Sequence, residues 1–315
     1  MNTHYPPRKS GPFWLWPLGI LVGDTVTILI FAAVEYLIGG FGSDALKNSA
    51  GVPSFLLVPI CGGVAASFCW RKLDPGYLQV AFAILIMTLL ATAVSAVALG
   101  EGIVCLLIAM PFFFVSQLTG ALLGRVWFRN RSGPMQWCLL PVLALTATGE
   151  PLARSDRVGV VIDEIRIAAP PAKVWPQLTT FPDIQTAPQF WLFRMGLPYP
   201  MSTTSSGDYV GADRQCIFSD DMVFEEKVVT CVPNVDLTFD ITKLPQHPEL
   251  IGHITPSRGQ FLLRDNGDGT TTLIGSTWYT LHVRPLWYFD WWTQQIFRAV
   301  HLRVMDDIRQ RAERG

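Results

Sequence analysis

The sequence predicts an α-helical membrane bundle of four to five spans, followed by a separate α+β domain with an antiparallel sheet and a long closing helix. Three observations carry this. The residues from Gly11 to Gly149 are dominated by apolar runs, whereas the chain from Arg154 onward has ordinary globular composition. Charged residues make up only 16% of the whole, and mean hydropathy is positive, which is unusual for a soluble protein of this length. The second half also alternates like strands and ends on a run with helical spacing.

A helix needs about 20 apolar residues to cross a bilayer. Phe13 to Ile38, Val52 to Trp70, Tyr77 to Leu99 and Gly102 to Leu123 satisfy this. A fifth segment, Met135 to Leu152, reaches spanning length only when its flanks are counted. The predicted division is therefore a transmembrane domain over 1–152 and a second domain over 153–315. The first span is too long and too interrupted, by Asp24, to be a cleaved signal peptide, so it is expected to stay as an anchor.

Basic residues set the orientation. Arg8, Lys9, Arg71, Lys72, Arg125, Arg129 and Arg131 fall on one side, and only Lys47 on the other. This puts the N-terminus in the cytoplasm of a bacterial inner membrane. The second domain then lies in the periplasm if the fifth segment crosses, and in the cytoplasm if it does not. Arg154 and Arg157 favour the second outcome slightly.

Asp24 and Glu35, eleven positions apart, share one face of the first span. An intramembrane carboxylate is a functional candidate; the competing reading is a neutral acid near a span end or against a neighbouring helix. Gly120 and Gly124 form a GxxxG step that permits close helix packing. Pro111 should kink the fourth span, where Ser116 and Gln117 are placed to satisfy the freed backbone.

In the second half, Val158–Ala168 ("VGVVIDEIRIA") reads as a strand, and "PPAKVWPQLTT" as a helix opened by proline. A second short helix is expected at Pro188–Met195. Strands follow at "DRQCIFSD", "MVFEEKVVTCV", "VDLTFDIT", "GQFLLRD" and "TTTLIGSTWYTLHV", with turns at Asp220-Asp221 and Asn266–Gly269. A turn centred on Asp220-Asp221 pairs Cys216 with Glu225 and leaves Cys231 far from Cys216, so no disulfide is expected. From Leu286 a long helix runs to the end, with Trp292, Ile296, Val300, Val304 and Ile308 stepping every four residues.

This order, headed by "IRIAAPPAKVWPQL" with Ala169-Pro170 and Val174-Trp175, resembles the START-like helix-grip (SRPBCC) superfamily, in its polyketide cyclase/dehydrase and lipid transport branch. The resemblance covers roughly Val158 to Glu313 and does not extend to the membrane half. It implies a curved sheet wrapped around the closing helix, with an apolar cavity between them suited to lipids or polyketide-like molecules. By that likeness Leu237, Phe239 and Ile241 would line the cavity. So would one face of the last strand, either Ile274 with Trp278 or Leu273 with Tyr279, and the helix face with Trp291, Trp292, Ile296 and Val300. For most of these, plain core packing is the competing role.

Catalytic motifs are absent: there is no GxSxG, no HExxH and no Gly-rich phosphate loop. His247 and His253 share a proline-rich loop without metal-ligand spacing, and His282 and His301 read as structural residues unless one faces the cavity. Neither a metal nor a cofactor is expected. Of Glu225 and Glu226, one should point to the concave side, where a buried carboxylate would hold a polar head group or abstract a proton; a solvent-exposed surface pair is the competing and favoured reading. The net charge of −1 gives no reason to expect a nucleic-acid partner. The partners expected are the lipid bilayer and a hydrophobic small molecule or lipid. The function expected is binding or transfer of that ligand, with a cyclase or dehydratase activity, or ligand-sensing regulation, as alternatives.

In the topology that the resemblance implies, the first and last strands are antiparallel neighbours, so the run Arg284–Trp292, "RPLWYFDWW", would stand beside the start of the first strand, a few residues past the last membrane segment. Trp287, Tyr288 and Trp291 are therefore expected at the membrane interface, where Trp and Tyr are favoured.

Overall fold

The computed structural model describes residues 12–41, 52–98, 102–130 and 156–314. It divides into two compact units, one helical and one α+β.

The helical unit contains α1 (Leu15–Phe41), α2 (Val52–Trp70), α3 (Tyr77–Ala98) and α4 (Ile103–Asn130). Among the described residues, three stretches are long and apolar enough to cross a membrane: Leu15–Ala33, Tyr77–Val97 and Ile103–Phe128. This is fewer than the four to five expected. The described side chains of α2 begin at Leu57, and Leu57–Trp70 is shorter than a span requires. The fifth expected segment lies outside the described residues, as do the loop residues Arg8, Lys9, Lys47 and Arg131.

Helix α2 is rich in small residues, and Val58, Cys61, Val64, Ala65, Ala66 and Trp70 are all buried. The GxxxG step faces it. A Cβ on Gly120 would lie 2.0 Å from the Ile60 carbonyl oxygen, so only glycine permits that approach. The Ser67 hydroxyl donates to the Ala121 carbonyl (2.5 Å), and the Thr88 hydroxyl to Gln117 Oε1 (2.7 Å). Gln117 thus cross-links α3 to α4, and α4 runs through Pro111 unbroken as one element. One carboxylate oxygen of Asp24 is buried without a hydrogen-bond partner. The side chain of Glu35 is outside the described residues.

The second unit opens with β1 (Arg157–Ile167) and then three single-turn helices, α5 (Pro171–Val174), α6 (Pro176–Thr179) and α7 (Trp191–Arg194). Pro176 divides the helix expected after Pro171, because it supplies no N–H to continue the ladder. Six further strands follow: β2 (Pro200–Ser205), β3 (Asp213–Phe218), β4 (Val223–Val232), β5 (Asp236–Lys243), β6 (Ile254–Asp265) and β7 (Thr271–Leu281). Helix α8 (Leu286–Arg314) closes the chain. The seven strands form one antiparallel sheet in the order β1-β7-β6-β5-β4-β3-β2. A curved half-barrel of this order with a C-terminal helix is a helix-grip arrangement.

Two details of register differ from expectation. Cys216 pairs with Phe224, and Gln215 with Glu225, one step from the predicted register. The hairpin turns through three residues, Ser219 to Asp221, with Asp220 and Asp221 both at positive φ, a conformation Asp tolerates better than most residues. Strand β6 also begins five residues earlier than predicted, at Ile254, and pairs with β7 along its length.

The face of α8 that is buried is also displaced. Phe289, Asp290, Thr293, His301, Val304, Met305, Ile308 and Ala312 are buried, while Trp292, Ile296 and Val300 are half-buried. A strict four-residue step advances about 40° further than a full turn each time. Sixteen residues before Ile308, Trp292 therefore points about 160° away from it. The inner stripe therefore steps on by one residue, from Val300 to His301 and from Trp292 to Thr293.

Candidate functional site

The two halves of α8 meet different surroundings. Around Val304, Met305, Ile308 and Ala312 the core is apolar, built with Ile167, Val174, Leu178, Leu237 and Leu273 among others. Around Asp290, Thr293 and His301 the sheet answers with polar side chains from β1 and β7.

The first polar group centres on Asp290. Its carboxylate accepts hydrogen bonds from the Tyr279 hydroxyl (2.7 Å) and from Gln294 Nε2 (2.8 Å), and Arg157 lies 3.1 Å away. Tyr279 reaches it because Gly159 is its cross-strand partner. A Cβ on Gly159 would meet the tyrosine ring at 2.6 Å, so the ring lies over β1 only in the absence of a side chain there. Phe297 stacks on the other side, with ring centroids 5.3 Å apart. Burial, reinforced by the Asp290 carboxylate, holds the phenol well above its usual titration range.

The second group joins three elements. His301 of α8 has Nδ1 2.9 Å from Asp163 Oδ2 on β1 and Nε2 2.7 Å from the Thr277 hydroxyl on β7. Asp163 and His301 are both buried and Thr277 is half-buried. When the Asp163 carboxylate accepts at Nδ1, that nitrogen carries the ring proton. Nε2 then accepts from the threonine hydroxyl. Arg298 Nε stands 3.5 Å from the other Asp163 oxygen. Hydroxyl, imidazole and carboxylate in series are the elements of an activated nucleophile with a positioned base.

The third group lies across the sheet. Arg214 of β3 and Glu226 of β4 are a buried ion pair, with the Arg214 guanidinium carbon 4.2 Å above the Phe239 ring. Burial raises the Glu226 carboxyl above its ordinary value, against the pull of Arg214. Burial also pushes the adjacent Cys216 thiol up to about 12, with Glu226 adding to the effect. Glu226 is thus the inward member of the Glu225-Glu226 pair, and Glu225 bonds Lys243 (2.6 Å) at the surface. Lys227, on the opposite face, bonds Asp213.

Of the residues the sequence singles out as cavity wall, Leu237, Phe239 and Tyr279 are buried on the inner face and Ile241 is half-buried. Leu273 and Tyr279 take the inner face of β7, so Trp278 stands on the outer one. Trp292 packs its ring against Trp191, Tyr288 and Trp291. Trp287 and Trp291 are 70% and 54% exposed, and Tyr288 is half-buried. His247 accepts a hydrogen bond from the Glu249 N–H (3.2 Å), and His282 sits between Thr255 and Asp156. Among the described residues no cluster of three His, Cys, Asp or Glu side chains has the makings of a metal site. Cys216 and Cys231 are free thiols.

Asp163, Thr277, Asp290 and Arg214 escape a reading of the sequence alone. One signal for Asp163 was present. In "VGVVIDEIRI" the inner positions are Gly159, Val161, Asp163, Ile165 and Ile167, so an acid interrupts an otherwise apolar register. The other three show their partners only once register is known.

No family model matches the chain, and no curated protein does. Among solved structures, a protein of Nitrosospira multiformis is similar at 18% identity, covering 48% of this chain and 94% of its own, with a TM-score of 0.34. A Mesorhizobium loti protein is similar at 20% identity, over 50% and 98% of the two chains, with a TM-score of 0.32. Norcoclaurine synthase from Thalictrum flavum, solved with dopamine and hydroxybenzaldehyde, is similar at 14% identity, over 50% and 87%, with a TM-score of 0.34. The helix-grip assignment rests on the strand order and closing helix described above.

Proposed function

We propose that the chain is a membrane-anchored module whose helix-grip domain binds or transfers a hydrophobic ligand, a lipid or a polyketide-like molecule. The observation that carries this reading is the unlike packing of α8. Its C-terminal half is sealed by apolar core, and its N-terminal half carries a few fixed polar groups beside aromatic rings, the mixture that ligand sites present. In this reading Phe239, Ile241, Tyr279 and the half-buried Trp292, Ile296 and Val300 contact the ligand. Trp287, Tyr288 and Trp291 meet lipid head groups. The apolar helices anchor the protein in a bacterial inner membrane with the N-terminus in the cytoplasm, and a crossing by the fifth apolar segment carries the domain to the periplasm.

The test is to purify the full chain in lipid nanodiscs and identify extracted small molecules by mass spectrometry. A ligand enriched stoichiometrically over the bulk lipid supports binding. Extracts identical to those of empty nanodiscs sink it.

A second reading, an enzyme of the cyclase or dehydratase type, is favoured by one specific observation: a histidine and a carboxylate converge between sheet and helix, at His301 and Asp163.

A further inference from the structure

We propose that Thr277, His301 and Asp163 form a nucleophilic acyl-transfer site in which the Thr277 hydroxyl is the attacking group. It rests on the reading that a hydrophobic ligand reaches the N-terminal half of α8, and it adds a reaction to that reading.

The Asp163 carboxylate accepts from His301 Nδ1 at 2.9 Å, which leaves Nε2 as the basic nitrogen, and Thr277 Oγ1 stands 2.7 Å from it. Each distance is that of a short, directed hydrogen bond. The three side chains come from β1, α8 and β7, and each is held by a regular element rather than a loop. Asp163 Oδ1 faces Arg298 Nε at 3.5 Å, a second partner that orients the carboxylate toward His301. With Nδ1 donating to Asp163, the Thr277 hydroxyl donates to Nε2 and its oxygen keeps its lone pairs for attack. Thr277 is half-buried, and the side chains of His301 and Asp163 are only 7% and 8% exposed. A histidine placed only to satisfy the core would need two partners of any kind. Here the chain supplies an acid on one nitrogen and a hydroxyl on the other, in the order that activates the hydroxyl.

The chemistry balances without a cofactor. Oγ1 attacks the carbonyl carbon of an ester or thioester with an apolar acyl chain, and its proton passes to Nε2. The bond from that carbon to the leaving oxygen or sulfur breaks, and the electron pair departs with the leaving group. Nε2 returns the proton to an alkoxide or thiolate, and the acyl group remains on Thr277 as an ester. Water or an acceptor alcohol then releases it by the same steps reversed. Thr277 is the catalytic residue, His301 its base, and Asp163 a positioning residue acting through His301.

The experiment uses the full chain in nanodiscs with nitrophenyl octanoate as acyl donor, reading nitrophenol release and the mass of the peptide containing residue 277. The proposal expects release by the wild type to exceed that of Thr277→Val by about 10²-fold, the scale of a positioned base. Thr277→Ser should retain the activity. His301→Gln should lose it, and Asp163→Asn should lower kcat per folded molecule and change the pH profile of kcat, which a reduced folded fraction would leave unmoved. Any accumulated acyl adduct should map to residue 277. Equal release by wild type and Thr277→Val, or an adduct confined to other residues, overturns the proposal. Should Thr277→Val fail to fold, the serine variant decides: no release above empty nanodiscs from either it or the wild type overturns the proposal. Enriched lipid without ester turnover removes this site and leaves the binding reading intact; turnover without enriched lipid does the reverse.

Discussion

The N-terminal and C-terminal halves of α8 are one continuous helix, yet they are stabilised by different physics. From Val304 to Ala312 the helix buries aliphatic side chains against Ile167, Leu178, Leu237 and Leu273. From Asp290 to His301 it buries an acid, a threonine and a histidine, each matched to partners on β1 and β7. Apolar burial is non-directional and tolerant of small shifts, so it holds the helix in place. Buried polar groups are costly unless fully paired, so the N-terminal half is ordered only in the arrangement observed. A fold needs the first kind of packing. The second is placed where chemistry or recognition gains from it.

The largest loss of stability is expected in the apolar half. Met305→Ala or Ile308→Ala removes a fully buried side chain, and chemical denaturation should show a loss of about 2–5 kcal/mol. Ligand enrichment per folded molecule should not change. A loss of ligand at unchanged stability would erase the distinction between the halves.

In the polar half, Asp290→Ala strips the Tyr279 hydroxyl and Gln294 of an acceptor and Arg157 of its counter-charge. The expected cost is about 1–3 kcal/mol. Adding Tyr279→Phe should recover part of it, since no phenol is then left unsatisfied; a double variant less stable than Asp290→Ala alone would contradict this.

A slope is expected from Glu226, whose carboxyl is raised by burial above the ordinary 4.5. The folded chain holds that proton more tightly than the unfolded chain, so this contribution to stability is complete below 4.5. It is lost as pH rises through the raised folded value. Denaturation midpoints measured across this range should fall with rising pH in the wild type and show a flatter profile in Glu226→Gln. The same slope in both would remove Glu226 as its source.

The smallest effect on stability is expected from Trp287→Ser with Trp291→Ser. Both side chains are largely exposed, so the change should stay within about 0.5 kcal/mol. Quenching of tryptophan fluorescence by brominated lipid should nevertheless drop. Unchanged quenching with a large stability loss would make the run plain core.

Much of the architecture is legible in the chain, and the reasons for the failures are local. Strand β1 announces itself through β-branched alternation, and α8 through its length and charged outer face. Strand β2, "PMSTTS", has no large β-branched or aromatic residue and gives no strand signal of its own; its pairing with β3 supplies what propensity does not. At its N-terminal half the inner face of α8 departs from a four-residue step, because that step matches the helix only over a turn or two. The Asp163–His301 contact spans 138 residues, and Arg214 meets Glu226 only through a hairpin register. Such pairs are properties of register and twist, and no spacing in the sequence encodes them. Even so, an acid in an apolar strand register and a histidine beside a helix stripe are signals worth reading together.

The central claim is that ligand lies against the N-terminal half of α8 and is excluded from the C-terminal half. A photoactivatable palmitic acid, cross-linked to the full chain in nanodiscs and mapped by peptide mass spectrometry, tests it directly. Labels on Thr277, Tyr279 or residues 290–301, competed by unlabelled palmitic acid, are the predicted result. Labels around Met305 and Ile308, or none in the grip domain above background, would contradict it.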